Sequence, residues 1–142
     1  MHFTTGSSIL KQMIFHVNCI NDQWEIPNLE LDLKYSYVIG LRKIWVEFNS
    51  NTVDKRNLLG LRTSLVDLSI KNPSQCIALF PCNMKSDTLY YEPLVIVYHP
   101  LQIRSNIRDS SFDLLDVLSE HKINFSRIFI CLEIQRTDYA RF

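Results

Sequence analysis

Residues 29–48 read LELDLKYSYVIGLRKIWVEF, and apolar residues alternate with polar ones over most of this stretch. Side chains of a β-strand point alternately to the two faces of a sheet, so this pattern makes one face apolar and the other polar. An α-helix needs apolar spacings of three and four residues, which would scatter these leucines around its surface. The stretch therefore predicts two β-strands or one long bent strand, with Gly40 at a bulge or at the bend.

Other parts of the chain repeat the strand pattern, with turn residues between them. Asn21 and Asp22 supply the turn chemistry after the first strand. Residues 90–103 are apolar but contain Pro93 and Pro100, which predicts an edge strand or an irregular path. The remaining strand predictions cover residues 13–19, 58–68, 76–80 and 128–135.

Residues 111–121 fit two alternatives. Ser110 and Asp113 resemble the capping box that begins a helix, and apolar residues up to Leu118 then share one helical face. The same segment also fits a strand with one polar interruption. Local signals favour one short helix over residues 111–121, which pairing with another strand is able to override.

Length and strand content together predict the fold class. The 142 residues are 46% hydrophobic, which suits one domain over residues 1–142 with a buried core. A chain with so many strands and at most one helix predicts an all-β fold. We expect an antiparallel β-sandwich, and more specifically a single jelly roll of about eight strands.

Charge and cysteine usage limit the expected partners. Fifteen basic and fifteen acidic residues cancel, whereas proteins that neutralise nucleic-acid phosphates usually carry a basic excess. Nucleic acid is therefore not an expected partner, and the zero net charge permits self-association. The four cysteines stand singly and match no zinc or redox motif, so we expect buried, reduced thiols.

Neither a membrane span nor a secretion signal is expected. The chain has no run of about 18 apolar residues, the length at which a membrane-spanning helix is expected. Residues 1–10 lack both a basic leader and an apolar block. The expected location is therefore intracellular.

The chain carries no catalytic signature. It contains no H-E-x-x-H pair, no G-x-S-x-G elbow and no glycine-rich phosphate loop. We therefore expect no enzyme activity and no cofactor, and we assign no catalytic, cofactor-binding or metal-ligating residue. The candidate contacts for self-association or for a ligand are aromatic, because aromatic residues are enriched at protein interfaces. They are Trp45, Tyr90, Tyr91 and Tyr98.

Several segments resemble one protein family. Residues 35–51, YSYVIGLRKIWVEFNSN, resemble a β-rich segment in jelly-roll capsid proteins of Polinton (Maverick) elements and related viruses. Three later segments are similar, in the succession of their strands, to the single-jelly-roll minor capsid, or penton-type, protein of these elements. They are LLGLRTSLVD at 58–67, YEPL at 91–94 and IRD at 107–109. The chain departs from the family at 110–112, where Ser-Ser-Phe replaces the expected glycine turn.

This resemblance implies a structural protein without enzymatic activity, located in the virion. Such a protein would self-assemble into a ring at capsid vertices, with a pentamer favoured and a trimer as the alternative. A double-jelly-roll major capsid protein would be a further partner. A second function stays open, since jelly rolls also serve as lectins and trimeric ligands. A recognition module would bind a protein or glycan through end loops such as 49–57 or 83–88.

Overall fold

The structure is a computed structural model that describes residues 11–49, 58–66, 76–82, 87–102 and 106–138. These residues form β-strands joined by turns, together with one short 3-10 helix, Ile107–Asp109. The strands are β1 Gln12–Ile20, β2 Gln23–Glu25, β3 Tyr37–Phe48, β4 Leu58–Thr63, β5 Cys76–Pro81, β6 Thr88–Tyr91, β7 Tyr98–Pro100, β8 Phe112–Asp116, β9 His121–Lys122 and β10 Phe125–Arg136.

The strands form two antiparallel sheets that enclose a common core. The large sheet has the order β2-β1-β10-β3-β6, with β7 also paired to β3. The small sheet has the order β5-β4-β8-β9. Phe15 and Ile130 of the large sheet are fully buried in the same cluster as Leu61 and Phe80 of the small sheet. The predicted class, an all-β antiparallel sandwich, is confirmed.

The alternating segments at 13–19, 76–80 and 128–135 form strands β1, β5 and β10, as predicted. The turn prediction after β1 is also confirmed, because Asn21 and Asp22 both have positive φ, at 51° and 63°. Two consecutive residues of this kind close a tight hairpin whose twist matches the flanking strands. The strand predicted over 58–68 is shorter, since β4 ends at Thr63 and residues 64–65 turn. Residues 67–68 lie outside the described part.

β6 and β7 are two halves of one edge strand. β6 pairs with residues 44–47 of β3 and β7 pairs with residues 38–40, so the 92–97 loop spans the gap between them. The prediction of an interrupted edge over residues 90–103 is therefore confirmed. A bulge of β3 lies opposite this gap, because Leu41 and Lys43 pair with consecutive residues of β10.

Gly40 lies inside β3, two residues before this bulge, so its prediction as a bulge or bend is wrong. Its neighbours Ile39 and Leu41 face the core, which places the side-chain position of Gly40 on the outer face. A Cβ there would collide with Ile96 and would lie 3.1 Å from the carbonyl oxygen of Val97. Glycine is therefore needed because the 92–97 loop lies directly on the sheet.

The strand prediction is wrong for residues 29–36. Leu29 and Leu31 are buried as the alternation predicts, but Leu33 is 58% exposed and β3 begins only at Tyr37. The reason is local: the Asp32 carboxylate accepts from the Lys34 amide at 3.1 Å, which forms an Asx-turn. This turn takes the chain out of the extended conformation. The alternation of apolar and polar residues therefore no longer corresponds to the two faces of a sheet.

The helix predicted over residues 111–121 is also wrong, because β8 occupies the first half and pairs with β4. Asp113 does not cap a helix: its carboxylate pairs with Arg62 at 2.9 Å and with Lys122 at 3.4 Å, both on neighbouring strands. Leu118, which helical periodicity would bury, is 83% exposed in the turn after β8. Cross-strand pairing therefore overrides the local helix signals.

Candidate interaction surface on the large sheet

Three aromatic side chains form a row across the outer face of the large sheet. Phe129 of β10 is the cross-strand partner of Trp45 in β3, and Trp45 is the partner of Tyr90 in β6. The Trp45 and Phe129 ring centroids are 5.4 Å apart, while Phe129 is 37% and Tyr90 58% exposed. We call Phe129, Trp45 and Tyr90 the aromatic row. It is an apolar strip in contact with solvent.

An ion pair borders the aromatic row on one side. The Arg127 guanidinium donates to the Glu47 carboxylate at 2.7 Å and lies 5.5 Å from the centre of the Trp45 ring. The hydrogen bond from Arg127, followed by the one from Ser126, holds the pKa of Glu47 below its usual value. These charges cancel, so this border adds no net charge to the surface.

A buried carboxylate lies on the other side of the row. Glu133 of β10 is only 2% exposed although it points to the outer face. Its oxygens accept from Arg42 at 2.5 Å, from Gln12 at 3.0 Å and from the Tyr98 hydroxyl at 3.0 Å. The Gln135 amide donates to it as well. The donors come from four strands, so this Glu133 cluster joins the β7 edge to the centre of the sheet.

The electrostatics of the Glu133 cluster favour a structural role. Burial raises the pKa of Glu133, but hydrogen bonds from Gln135, Arg42 and Tyr98 outweigh it, and the net pKa is lowered. Burial, followed by the hydrogen bond to Glu133, raises the pKa of Tyr98 to about 12. At neutral pH the carboxylate is therefore ionised and the phenol protonated. Both groups hold the sheet together rather than exchange protons.

A small pocket opens beside the aromatic row. It has a volume of about 120 Å³, and His16, Lys43 and Cys131 line it together with the row. Burial raises the pKa of the Cys131 thiol against the opposing effects of Lys43 and Arg42. The thiol therefore stays protonated at neutral pH, which makes it a weak nucleophile.

A wider cleft lies at the β2 edge of the large sheet. His16, Asn18, Trp24, Glu25 and Arg108 are among its lining residues, and its volume is about 680 Å³. Trp24 is 36% exposed. This cleft combines an aromatic surface with side chains that donate and accept hydrogen bonds.

The structure separates the four aromatic residues that the sequence singled out. Trp45 and Tyr90 are adjacent in the aromatic row, and Tyr98 belongs to the Glu133 cluster. Tyr91 instead faces the core, where its ring stacks on Phe80 at 5.1 Å.

Sequence reasoning missed Phe129 and Glu133. A signal for Phe129 was present, because this aromatic residue occupies the polar phase of an alternating strand. Little in the local sequence marks Glu133 as buried, since three of its four donors, Gln12, Arg42 and Tyr98, are distant in the chain.

Other site types have no counterpart in the described residues. No group of three or more His, Cys, Asp or Glu side chains within them is arranged to hold a metal ion. No helix among them is long and apolar enough to cross a membrane. The four cysteines are buried and none forms a disulfide, as expected for reduced thiols.

Comparisons with protein families, curated proteins and solved structures found no match to this chain. The features of the molecule that bear on function are therefore the strand order of its two sheets and the composition of its exposed surface.

Proposed function

We propose that this protein is a structural, capsid-type protein that self-assembles into a ring, similar to the penton-type vertex components of Polinton-like elements and related viruses. The observation that carries the proposal is the strand order. A jelly roll is an antiparallel ribbon of paired strands wrapped into two sheets. Numbered along the chain, its strands have the order 1-8-3-6 in one sheet and 2-7-4-5 in the other.

The strand order of this chain supports a jelly roll. In the large sheet, β1, β10, β3 and the β6–β7 edge follow one another as strands 1, 8, 3 and 6 do. In the small sheet, β8, β4 and β5 follow one another as strands 7, 4 and 5 do. The position of strand 2, beside β8, is taken by the short β9 in the described residues.

The exposed surface supports self-association. The aromatic row places Phe129 and Tyr90 in solvent, at 37% and 58% exposure, on a face whose bordering charges cancel. Aromatic residues are enriched in protein interfaces, and the zero net charge of the chain removes long-range repulsion between copies. Copies joined by the same rotation form a ring when that rotation closes, and the closed ring stops growing at a defined size.

Native mass spectrometry and sedimentation velocity test this proposal on the full chain. We expect one closed oligomer, a pentamer in preference to a trimer, that persists over a wide concentration range. Electron microscopy of the same sample should show rings. A protein that stays monomeric at every accessible concentration would contradict the proposal.

The cleft around Trp24 favours a second candidate function, a recognition module. Its lining combines the Trp24 indole, which also packs on Phe112 and Phe125, with amide, carboxylate, guanidinium and imidazole groups, a mixture suited to a polar ligand such as a glycan. The end loops expected to bind, 49–57 and 83–88, lie mostly outside the described residues. A monomer whose tryptophan fluorescence changes on glycan binding, with the change lost in Trp24→Ala, would support this candidate over the ring.

A further inference from the structure

The 92–97 loop exposes an unusual amount of apolar surface. Leu94 is fully exposed (104% of its reference area), and Val95 and Val97 are 76% and 63% exposed. The loop is held in place by two contacts. Ile96 packs over Gly40, and Tyr98, the first residue after the loop, donates a hydrogen bond to Glu133. An exposed apolar group on a fixed edge is typical of a surface that another molecule covers.

An apolar groove lies at the other end of β7. Leu31, Leu33, Tyr35, Val38, Pro100 and Leu101 are among its lining residues, and its volume is about 190 Å³. Leu31, Val38 and Leu101 are buried. Pro100 is exposed, as are Leu33 and Tyr35, at 58% and 39%. An apolar cavity of ~150 Å³ holds benzene, so this groove has room for a leucine side chain. The exposed Leu94 does not fill the groove of its own chain.

Charges of opposite sign are present beside the two features. Glu92 is exposed two residues before Leu94. Lys34 is exposed on one side of Leu33 at the groove rim, and Asp32, whose carboxylate accepts from the Lys34 amide, lies on the other side. Within the described residues, neither the Glu92 nor the Lys34 side chain takes part in an ion pair. A carboxylate at the projecting loop and an ammonium group at the groove would attract each other across a contact between copies.

We propose that Leu94 of one copy inserts into the groove of a second copy, with Glu92 opposite Lys34. This inference rests on the proposed self-association and names its contact. The two patches differ, one projecting and one recessed, so each copy offers both halves of the contact. Such a heterologous contact forms a ring when the rotation between copies closes.

The first test replaces Leu94 by aspartate. Leu94→Asp should shift the oligomer to monomer, while Leu118→Asp, a matched change at an 83% exposed leucine of the small sheet, should leave it intact. Circular dichroism should show unchanged β structure in both, because neither leucine is buried. If the wild type is an oligomer and Leu94→Asp remains one, this contact is overturned but the proposed function is not. A monomeric wild type overturns both.

The second test locates the groove by cross-linking. Copies carrying Leu94→Cys are mixed with copies carrying Leu33→Cys and oxidised; the native cysteines are buried. We expect a disulfide-linked pair from the mixture, confirmed by mass spectrometry of the linked peptides. A mixture of Leu118→Cys and Leu33→Cys copies should give none. Equal cross-linking in both mixtures, or none in the first despite an intact oligomer, would overturn the proposal.

Discussion

The outer faces of the two sheets bury different kinds of groups. On the large sheet, the buried group is the Glu133 carboxylate, 2% exposed and bonded to donors from four strands. On the small sheet, it is the Cys76 thiol, 3% exposed, together with Leu115, which is fully buried. The Glu133 carboxylate is held by hydrogen bonds and charge, whereas Cys76 and Leu115 are held by apolar packing.

Each face also has a glycine on its central strand. Gly40 of β3 leaves room for Ile96, and Gly60 of β4 leaves room for Cys76 and Val117. Packing against Gly60 depends on volume alone, whereas the Glu133 cluster depends on volume, bond geometry and ionisation. Changes to the Glu133 cluster should therefore respond to pH, and changes at Gly60 should not.

The largest effect is expected for Glu133→Ala. Loss of the carboxylate leaves the Gln12 amide and the Tyr98 hydroxyl without their acceptor, at a cost of about 3 kcal/mol in the free energy of unfolding. Arg42 is partly exposed and regains water, which keeps the cost from rising further. Urea unfolding measures this cost. A loss under ~1 kcal/mol would show that the cluster is not a main support of the sheet.

Acid should reduce the difference in unfolding free energy between the wild type and a variant without the Glu133 carboxylate. The folded-state pKa of Glu133 lies below its usual 4.5, so its contribution is present above that pH and is lost as pH falls through the lower folded value. The gap in unfolding free energy between wild type and Glu133→Gln should therefore narrow below pH 4.5. An unchanged gap down to the acid transition would contradict an ionised carboxylate in the folded protein.

The next largest effect is expected for Gly60→Ala. The added Cβ would lie 2.5 Å from Cys76 Sγ and 2.9 Å from Val117 Cγ2, so the packing must shift at a cost of about 2 kcal/mol. Thermal unfolding at several pH values near neutrality should give the same loss. In the double variant Gly60→Ala, Cys76→Ala, the loss should be smaller than the sum of the two single losses. Simple additivity would contradict this steric explanation.

Tyr98→Phe should cost about 1 kcal/mol, because it removes a hydrogen bond to Glu133. Tyr90→Phe, a matched change at an exposed phenol, should cost nothing measurable. Because the pKa of Tyr98 is raised from 10 to about 12, its stabilising effect is complete below pH 10 and disappears as pH rises towards 12. Alkaline unfolding followed by circular dichroism should therefore bring wild type and Tyr98→Phe closer together over this range.

The smallest effect is expected for Glu47→Gln, which removes the ion pair with Arg127. Both side chains are substantially exposed, at 32% and 46%, so the loss should be small and should shrink as salt is added. A loss as large as that of Glu133→Ala would remove the distinction between the exposed ion pair and the buried cluster.

Errors in the sequence-based assignment of strands and helices occur where a polar side chain bonds to nearby backbone or to a side chain on another strand. Alternation correctly indicates the burial of Leu29 and Leu31, but it fails at Leu33, because the Asp32 carboxylate turns the chain. Helical spacing fails at 111–121, because Asp113 bonds to Arg62 on another strand. In both places a polar side chain with a specific partner outweighs a periodic pattern.

The candidate surface was only partly predictable. Aromatic content was enough to select Trp45 and Tyr90, because both occupy the outward phase of their strands. Tyr91 lies in the opposite phase and packs in the core against Phe80. Phe129 became part of the row through the register between β10 and β3, which no local pattern reveals.

Local chemistry is sufficient to establish the β class of this protein and the hairpin turn at Asn21 and Asp22. Alternation of side chains and tolerance of positive φ are properties of a short stretch of backbone, so they can be read residue by residue. The placement of β10 between β1 and β3 arises only in the folded chain. Gln12 and Glu133 are 121 positions apart, and their bond forms because the pairing of whole strands, not neighbouring residues, brings them together.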